Sequence, residues 1–296
     1  RKAKGAVRAC HGDLTLRNIC LHNGEPTPFD CLEFSDELAT IDVFYDLAFL
    51  LMDLLRVGAH DLANLALNRY LDARDESDAL PALPLFLSLR ATIRAHVEAT
   101  QGHAALGRAY FDLARRLLTP PRSGVIAIGG LSGAGKSSVA AALAPRLGSV
   151  GARILNSDRI RKKLFGAQPT DRLPKAAYAS DVSERVYREM FEEAARGAQT
   201  GWPVIVDAVF DRPQDRDAIA RVAQTAGAPF FGLWLDVDLA RRVGRVENRR
   251  NDVSDATPDV LRMQMEKATG AIDWTRIDAA QDIAAIVAAA EAARVL

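Results

Sequence analysis

Four apolar residues, Val125-Ile126-Ala127-Ile128, run straight into Gly129-Gly130-Leu131-Ser132-Gly133-Ala134-Gly135-Lys136-Ser137-Ser138, and few folds accommodate that succession. A short all-apolar run fits a strand covered on both faces. The residues from Lys136 to Leu147 read as a helix. Between strand and helix, Gly130 to Ser137 fits the pattern G-x-x-x-x-G-K-[ST] at every defined position. The glycines let the backbone turn its N–H groups inward around an anion. The helix points its positive end at the same place. Lys136 has the reach to meet β and γ phosphates, and the Ser137 hydroxyl is suited to Mg²⁺. Nucleotide binding is therefore expected along Gly130, Ser132, Gly133, Ala134, Gly135, Lys136, Ser137 and Ser138.

The chain after this loop alternates apolar runs with helical stretches. Strands are expected near 153–155, 204–206, 230–235 and 274–277, and helices near 175–199, 214–226, 239–249, 258–268 and 281–294. The pattern predicts a three-layer α/β/α domain of the P-loop NTPase type, built on a five-stranded parallel sheet. In such sheets ligands bind at the carboxyl ends of the strands. Asn156-Ser157-Asp158-Arg159-Ile160-Arg161 follows the second strand there. Asp158 is thereby placed to take a proton from a substrate hydroxyl. Arg161, one helical turn on, is placed to neutralise phosphoryl charge. An Asp helix cap beside solvated arginines is the alternative at this point. Val204-Ile205-Val206-Asp207 ends an apolar strand in an acid, and Asp207 is expected to hold Mg²⁺ directly or through water. Five arginines fall within 241–250; Arg245 and Arg249 share a helix face that suits a lid over a nucleotide, or a solvated basic helix.

Together GGLSGAGKSS at 129–138, SDRIRKKLFG at 157–166, VIVDAVF at 204–210 and SDA at 254–256 resemble the small P-loop kinases, which include gluconate kinases, zeta toxins and the kinase domain of polynucleotide kinases. The resemblance implies an ATP-dependent transfer of phosphate to a hydroxyl. It assigns Asp158 and Arg161 to the D-x-x-R pair near the acceptor, and Arg245 and Arg249 to the lid.

Thr119-Pro120-Pro121-Arg122-Ser123-Gly124 reads as a linker, dividing the chain into 1–118, 119–124 and 125–296. The first part carries helical stretches near 41–57, 60–73, 82–101 and 103–118, with strand-like pieces at Ile19–Leu21 and Thr27–Asp30. His11, Asp13 and Asn18 stand in an H-x-D-x-x-x-x-N spacing, which lets one loop place a carboxylate at a hydroxyl and a carboxamide at a metal. Asp30 offers a second metal ligand. These elements resemble the mainly helical, protein-kinase-like carboxyl lobe of aminoglycoside-phosphotransferase-like kinases. By that resemblance Asp13 is the catalytic base, Asn18 and Asp30 bind metal, His11 supports the loop, and Asp42 or Asp46 anchors it. The whole arrangement resembles bifunctional aminoglycoside phosphotransferase/ATP-binding proteins of the AAA family ATPase kind. Such kinases need an amino-terminal lobe, which nothing before Arg8 supplies. The chain also opens on Arg1 with no signal-peptide pattern, so it reads as a piece of a longer one.

Lys+Arg and Asp+Glu both number 38, and aromatic residues make up 6%. A 5′-hydroxyl nucleic-acid kinase needs a basic, stacking groove, so this balance favours a small-molecule hydroxyl acceptor. A nucleotide-sugar kinase and a non-catalytic ATP-binding regulatory module are the alternatives. The greasiest stretch, Val43 to Leu55, is interrupted by Asp46 and Asp53, so no membrane span is expected. Cys10, Cys20 and Cys31 form no close-spaced pair; they fit small buried side chains and a reducing cytoplasm. Oligomeric state leaves no mark in the sequence.

Overall fold

A computed structural model describes residues 1–248, 253–265 and 269–293. The chain divides into two compact units, Arg1–Pro121 with Gly148–Gly151, and Arg122–Leu147 with Ala152–Leu296. No helix among the described residues is long and apolar enough to cross a membrane.

The first unit begins with β1 (Val7–Ala9), β2 (Ile19–His22) and β3 (Glu25–Pro28). Strands β2 and β3 form a hairpin in which His22 faces Glu25. The two-residue turn between them, Asn23-Gly24, has both φ angles positive, at 52° and 82°. That twist matches the strands, and Asn-Gly is the dipeptide that adopts it most readily. A short α1 (Asp36–Ala39) leads to β4 (Thr40–Asp42), which pairs antiparallel with β1. The helices α2 (Val43–Arg56), α3 (His60–Ala73), α4 (Leu83–Thr100) and α5 (Ala104–Leu117) complete the unit. The predicted start of α2 at residue 41 moves to Val43. Thr40 to Asp42 are drawn into the β1 ladder, and the Asp42 carboxylate caps the helix by accepting from Phe44 N at 2.8 Å.

The cysteines depart from expectation. Cys20 and Cys31 are exposed, Cys10 is half-buried, and all three are free thiols. A two-stranded hairpin has no second layer to cover it, so Cys20 on β2 remains in solvent.

The second unit is the expected parallel sheet. Its strands β5 (Val125–Gly129), β6 (Arg153–Asn156), β7 (Val204–Asp207), β8 (Phe230–Asp236) and β9 (Thr275–Asp278) lie in the order β6-β7-β5-β8-β9. Every adjacent pair is parallel. The helices are α6 (Lys136–Leu143), α7 (Ser157–Leu164), α8 (Ser180–Gln199), α9 (Pro213–Thr225), α10 (Leu239–Glu247), α11 (Pro258–Met265) and α12 (Ile283–Ala292). Alternate strand residues serve opposite faces. Ile126, Ile128, Ile205 and Leu233 pack with Val139 and Leu143 of α6 and with Ile286 and Val287 of α12. Val125, Ala127, Val204 and Val206 pack with Val186 and Met190 of α8 and with Ile219 of α9. Each of these strand residues is at most 2% exposed, which is why the strands read as unbroken apolar runs.

Two predicted helices are shorter than expected. The one from Lys136 gives way after Leu143 to a tighter turn, Ala144–Arg146, because Pro145 donates no N–H. The one expected over 175–199 begins at Ser180, after a separate turn, Lys175–Tyr178, and an extended Ala179. Helix α7, by contrast, is absent from the predicted helical stretches and is anticipated only as the turn joining Asp158 to Arg161. Its eight residues, SDRIRKKL, carry too few apolar positions to show a helical period.

Candidate functional site

Register brings the functional ends of the strands together. Ile128 of β5 and Asn156 of β6 both pair with Asp207 of β7. The loop after β5, the start of α7 and the end of β7 therefore share one edge of the sheet. They open on a cavity of about 1060 Å³ whose lining includes Lys136, Ser137, Asp158, Arg161 and Asp207.

The phosphate loop takes the shape its glycines permit. Gly130 and Gly133 have φ of 143° and 83°. A Cβ on Gly133 would stand 2.7 Å from Arg242 O, and one on Gly130 2.8 Å from Leu235 O. Neither position has room for a side chain, since both obstacles are backbone. Some loop amides are spent within the fold: Gly130 N donates to Val209 O and Ala134 N to Leu131 O, both at 3.1 Å. The N–H groups of Gly133 and Gly135 have no acceptor among the described residues. They sit beside the amino terminus of α6 and suit an anion. Lys136 Nζ lies 3.4 Å from Leu131 O, folded back along the loop. Ala134 and Ser132 are buried within the loop, and Ser138 faces the cavity from the first turn of α6.

Beneath the loop, Ser137 Oγ donates to Asp207 Oδ2 at 2.6 Å. Asn156 Nδ2 donates to the same oxygen, also at 2.6 Å. Asp207 is 2% exposed, and both groups are neutral. A buried carboxylate held by neutral donors, with a hydroxyl beside it on the cavity wall, accommodates a hard cation. Mg²⁺ binds through one or two protein oxygens and keeps several waters, so this donor set fits it. Among the described residues no cluster of three or more His, Cys, Asp or Glu side chains is arranged to hold a metal; a mostly hydrated Mg²⁺ needs none. Asn156, which sequence reasoning did not single out, has a second task. Its Oδ1 accepts from Arg159 N at 2.9 Å and caps α7. An Asn between an apolar strand and a charged run was the available signal.

Asp158 and Arg161 both line the cavity from α7. Desolvation raises the Asp158 carboxyl above its ordinary range; a hydrogen bond from Ser254 and the charge of Arg161 oppose the shift, and Asp207 adds to it. Arg161 is 6% exposed. Its Nη1 donates to Ala177 O at 2.7 Å, and its guanidinium lies over the Tyr178 ring, 4.8 Å from the centroid. Its Nε has no partner among the described residues. Arg161 is thus a desolvated cation on the cavity wall, unlike an arginine of a solvated run.

Arg245 is fixed against the phosphate loop. Its Nη1 donates to Ala134 O at 3.2 Å and its Nη2 to Ala279 O at 2.7 Å. Arg249, the other expected lid arginine, lies outside the described residues.

Asp255 joins three segments. It accepts from Leu173 N at 3.0 Å, Tyr178 OH at 2.7 Å and Lys162 Nζ at 3.2 Å. Burial works against its ionisation, but these three partners outweigh it and hold the carboxyl below the usual range. Lys162 is 1% exposed, with Pro169 O as its other acceptor. Removing one member of a buried pair leaves the other uncompensated. Asp255→Ala is expected to destabilise the second unit by about 3–5 kcal/mol. Denaturant unfolding would show it, and an unchanged midpoint would contradict it. Because the folded pKa is depressed, the stabilisation is complete above pH about 3.9 and fades as pH falls through the folded value.

The first unit arranges its own loop. His11 N and Gly12 N donate to the Asp46 carboxylate at 3.1 and 2.9 Å, and Leu16 N donates to Asp53 Oδ2 at 3.0 Å. Of the two anchors left open by the sequence, Asp46 holds the loop, while Asp42 pairs with Arg1. Asn18 Nδ2 donates to Asp13 Oδ2 at 2.9 Å, so these two side chains meet. His11 Nε2 bonds Phe29 O at 2.8 Å. Asp30 is exposed, with φ at 60°, just past β3.

Residues 125–270 match the family model AAA_33, an AAA domain. The chain is 29% identical over 296 residues to the uncharacterized protein Rv2004c of Mycobacterium tuberculosis (strain ATCC 25618 / H37Rv). It is equally similar to the uncharacterized protein Mb2027c of Mycobacterium bovis. Both alignments cover 95% of this chain and 58% of the relative, so the chain spans under two thirds of their length. Among solved structures, a gluconokinase from Sinorhizobium meliloti 1021 aligns over 58% of this chain and 93% of its own, at 24% identity and a TM-score of 0.42. The Mycobacterium tuberculosis APS kinase CysC, in complex with AMPPNP and APS, aligns over 60% and 100%, at 21% identity and a TM-score of 0.42.

Proposed function

We propose that the second unit is a kinase that moves the γ-phosphate of ATP, with Mg²⁺, onto a hydroxyl of a small-molecule acceptor. The observation that carries this reading is the meeting of a complete phosphate loop with Asp207 and, on the same cavity, a half-buried carboxylate and a desolvated arginine. The match of residues 125–270 to the AAA_33 model supports it. A cradle alone indicates binding; a base and a cation across the cavity from it supply what transfer requires.

In this reading the loop amides and Lys136 take the phosphates. Ser137 and Asp207 hold Mg²⁺, which neutralises charge on the β and γ oxygens when bound. Asp158 accepts the acceptor's proton. Arg161 stabilises the equatorial charge of the transferring group, and Arg245 braces the loop through the Gly133 and Ala134 carbonyls. Transfer of this kind depends on positioning and electrostatics more than on covalent chemistry.

The same reading takes residues 1–118 as the carboxyl lobe of an aminoglycoside-phosphotransferase-like kinase joined by the 119–124 linker. It gives Asp13 the base's role and Asn18 and Asp30 the metal's. The anchoring of the loop by Asp46 and the Asp13–Asn18 contact support it. The three free thiols support a cytoplasmic setting.

The test incubates the whole chain with ATP, Mg²⁺ and a pool of small metabolites, and identifies products by mass. A new phosphate monoester is expected. Tight ATP binding with no product across the pool would overturn the kinase reading in favour of a nucleotide-binding module.

A further inference from the structure

The peptide unit between Leu131 and Ser132 is held from both ends. Its carbonyl accepts from Lys136 Nζ at 3.4 Å. Its N–H, on Ser132, donates to Gln264 Oε1 at 2.9 Å. Gln264 belongs to α11 and also lines the cavity. It reaches the loop across 132 residues of chain. Among the amides of the loop, this one is met by a side chain, while those of Gly133 and Gly135 have no acceptor among the described residues.

A carboxamide is neutral and carries an acceptor and two donors in one plane. A half-turn about its last bond exchanges them. The Oε1 contact places an oxygen where an anionic oxygen would otherwise satisfy Ser132 N–H. The outer phosphates belong at this end of the loop, because Lys136, the side chain that reaches β and γ phosphates, lies against the same peptide unit. Helix α11 also follows the 253–257 segment, whose Ser254 bonds Asp158. Gln264 thus comes from the side of the cavity toward which the terminal phosphate must travel.

We propose that Gln264 reads the terminal phosphate of the nucleotide. A γ-phosphate oxygen takes over the Ser132 N–H, and the carboxamide turns so that Nε2–H donates to that oxygen. A diphosphate leaves the Oε1–Ser132 contact in place. Gln264 therefore favours triphosphate over diphosphate and keeps α11 in register with the loaded loop. The proposal rests on the nucleotide reading above.

Two substitutions separate this role from a structural one. Gln264→Ala removes both halves of the carboxamide. Gln264→Glu keeps the acceptor for Ser132 N–H but turns the donor half into a second anionic oxygen. Calorimetric titration of the whole chain with MgATP and with MgADP reads the difference, and melting temperature reports folding. The preference for ATP over ADP is expected to fall roughly tenfold in Gln264→Ala, as for loss of one hydrogen bond to a charged oxygen. It is expected to fall further in Gln264→Glu, where two anions face each other. A merely structural contact predicts the reverse order, with Gln264→Glu like the wild type for both nucleotides; that result, or equal losses for ATP and ADP, would overturn the proposal. Failure of the wild-type chain to take up either nucleotide would remove the nucleotide reading itself, an outcome visible before any variant is compared.

Discussion

Lys136→Ala is expected to lower kcat/KM for the proposed phosphoryl transfer by about a thousandfold or more, with the fold intact. The size follows from where the ammonium sits. Lys136 stands at the first position of α6, half-buried, with its Nζ folded back to Leu131 O. It is thereby fixed at the outer end of the cradle before any nucleotide arrives, and pre-positioned charge costs nothing to reorganise during the reaction. The γ-phosphoryl group spreads negative charge over its oxygens as it leaves, so a fixed cation there stabilises the transition state more than the ground state. Alanine leaves the helix undisturbed, since it is the best helix former. Lys136→Met keeps the stem without the charge and should lose activity to a similar degree. Product formation followed by mass, beside a thermal melt, checks the claim. Turnover equal to the wild type in both variants would remove the phosphate loop from the chemistry.

The residues around Lys136 were legible because their cause is local. Glycines at 130, 133 and 135, a lysine and a hydroxyl fall within residues 130–137, directly between a strand and a helix, and each has a physical reason that needs no distant partner. Asp207 was legible for a related reason: it ends a strand whose apolar run marks it as central, and central strands deliver their last residue to the ligand edge. Gln264 was not, and Ser254 and Asp255 stood out only as part of the SDA motif, with their partners hidden. Asp255 meets Lys162, Leu173 and Tyr178, between 77 and 93 residues earlier in the chain. Ser254 and Gln264 bond to groups on other elements in the same way. Such contacts exist only after the sheet has assembled, and no periodicity or spacing encodes them. Arg161 lines the cavity from α7 beside Asp158, but its burial was hidden from the sequence. The turn at Lys175–Tyr178, which supplies the Ala177 carbonyl and the Tyr178 ring, lay inside a segment that reads as continuous helix. The exposed cysteines show the opposite failure. Composition says that free cysteines are usually buried, but at Cys20 a hairpin with no covering layer overrides the average.

Asp158→Asn separates the two halves of the cavity most cleanly. Asn has the same shape but takes up no proton, so transfer to the acceptor should fall by about a hundredfold to ten-thousandfold, the usual range for a positioned base. Binding of ATP should persist, because Asp158 lies on α7 and contributes nothing to the loop amides. The pH dependence gives an independent reading. Desolvation raises the Asp158 carboxyl, against the Ser254 hydrogen bond and the Arg161 charge. The base is active only when ionised, so kcat/KM should rise with pH along a limb centred above the ordinary Asp value of about 3.9. Removing the opposing hydrogen bond by Ser254→Ala should move that limb to still higher pH, with less effect well above it. The stability sign runs the other way from that of a salt-bridged acid. A folded pKa above the unfolded one means that ionised Asp158 costs stability once pH passes the unfolded value. Asp158→Asn, which resembles the protonated form, should therefore melt higher than the wild type at neutral pH, and the difference should vanish as pH drops below about 3.9. An inactive variant that also melts lower at neutral pH would show that the carboxylate holds the fold together. A variant that melts higher and keeps full activity would assign the proton to another group.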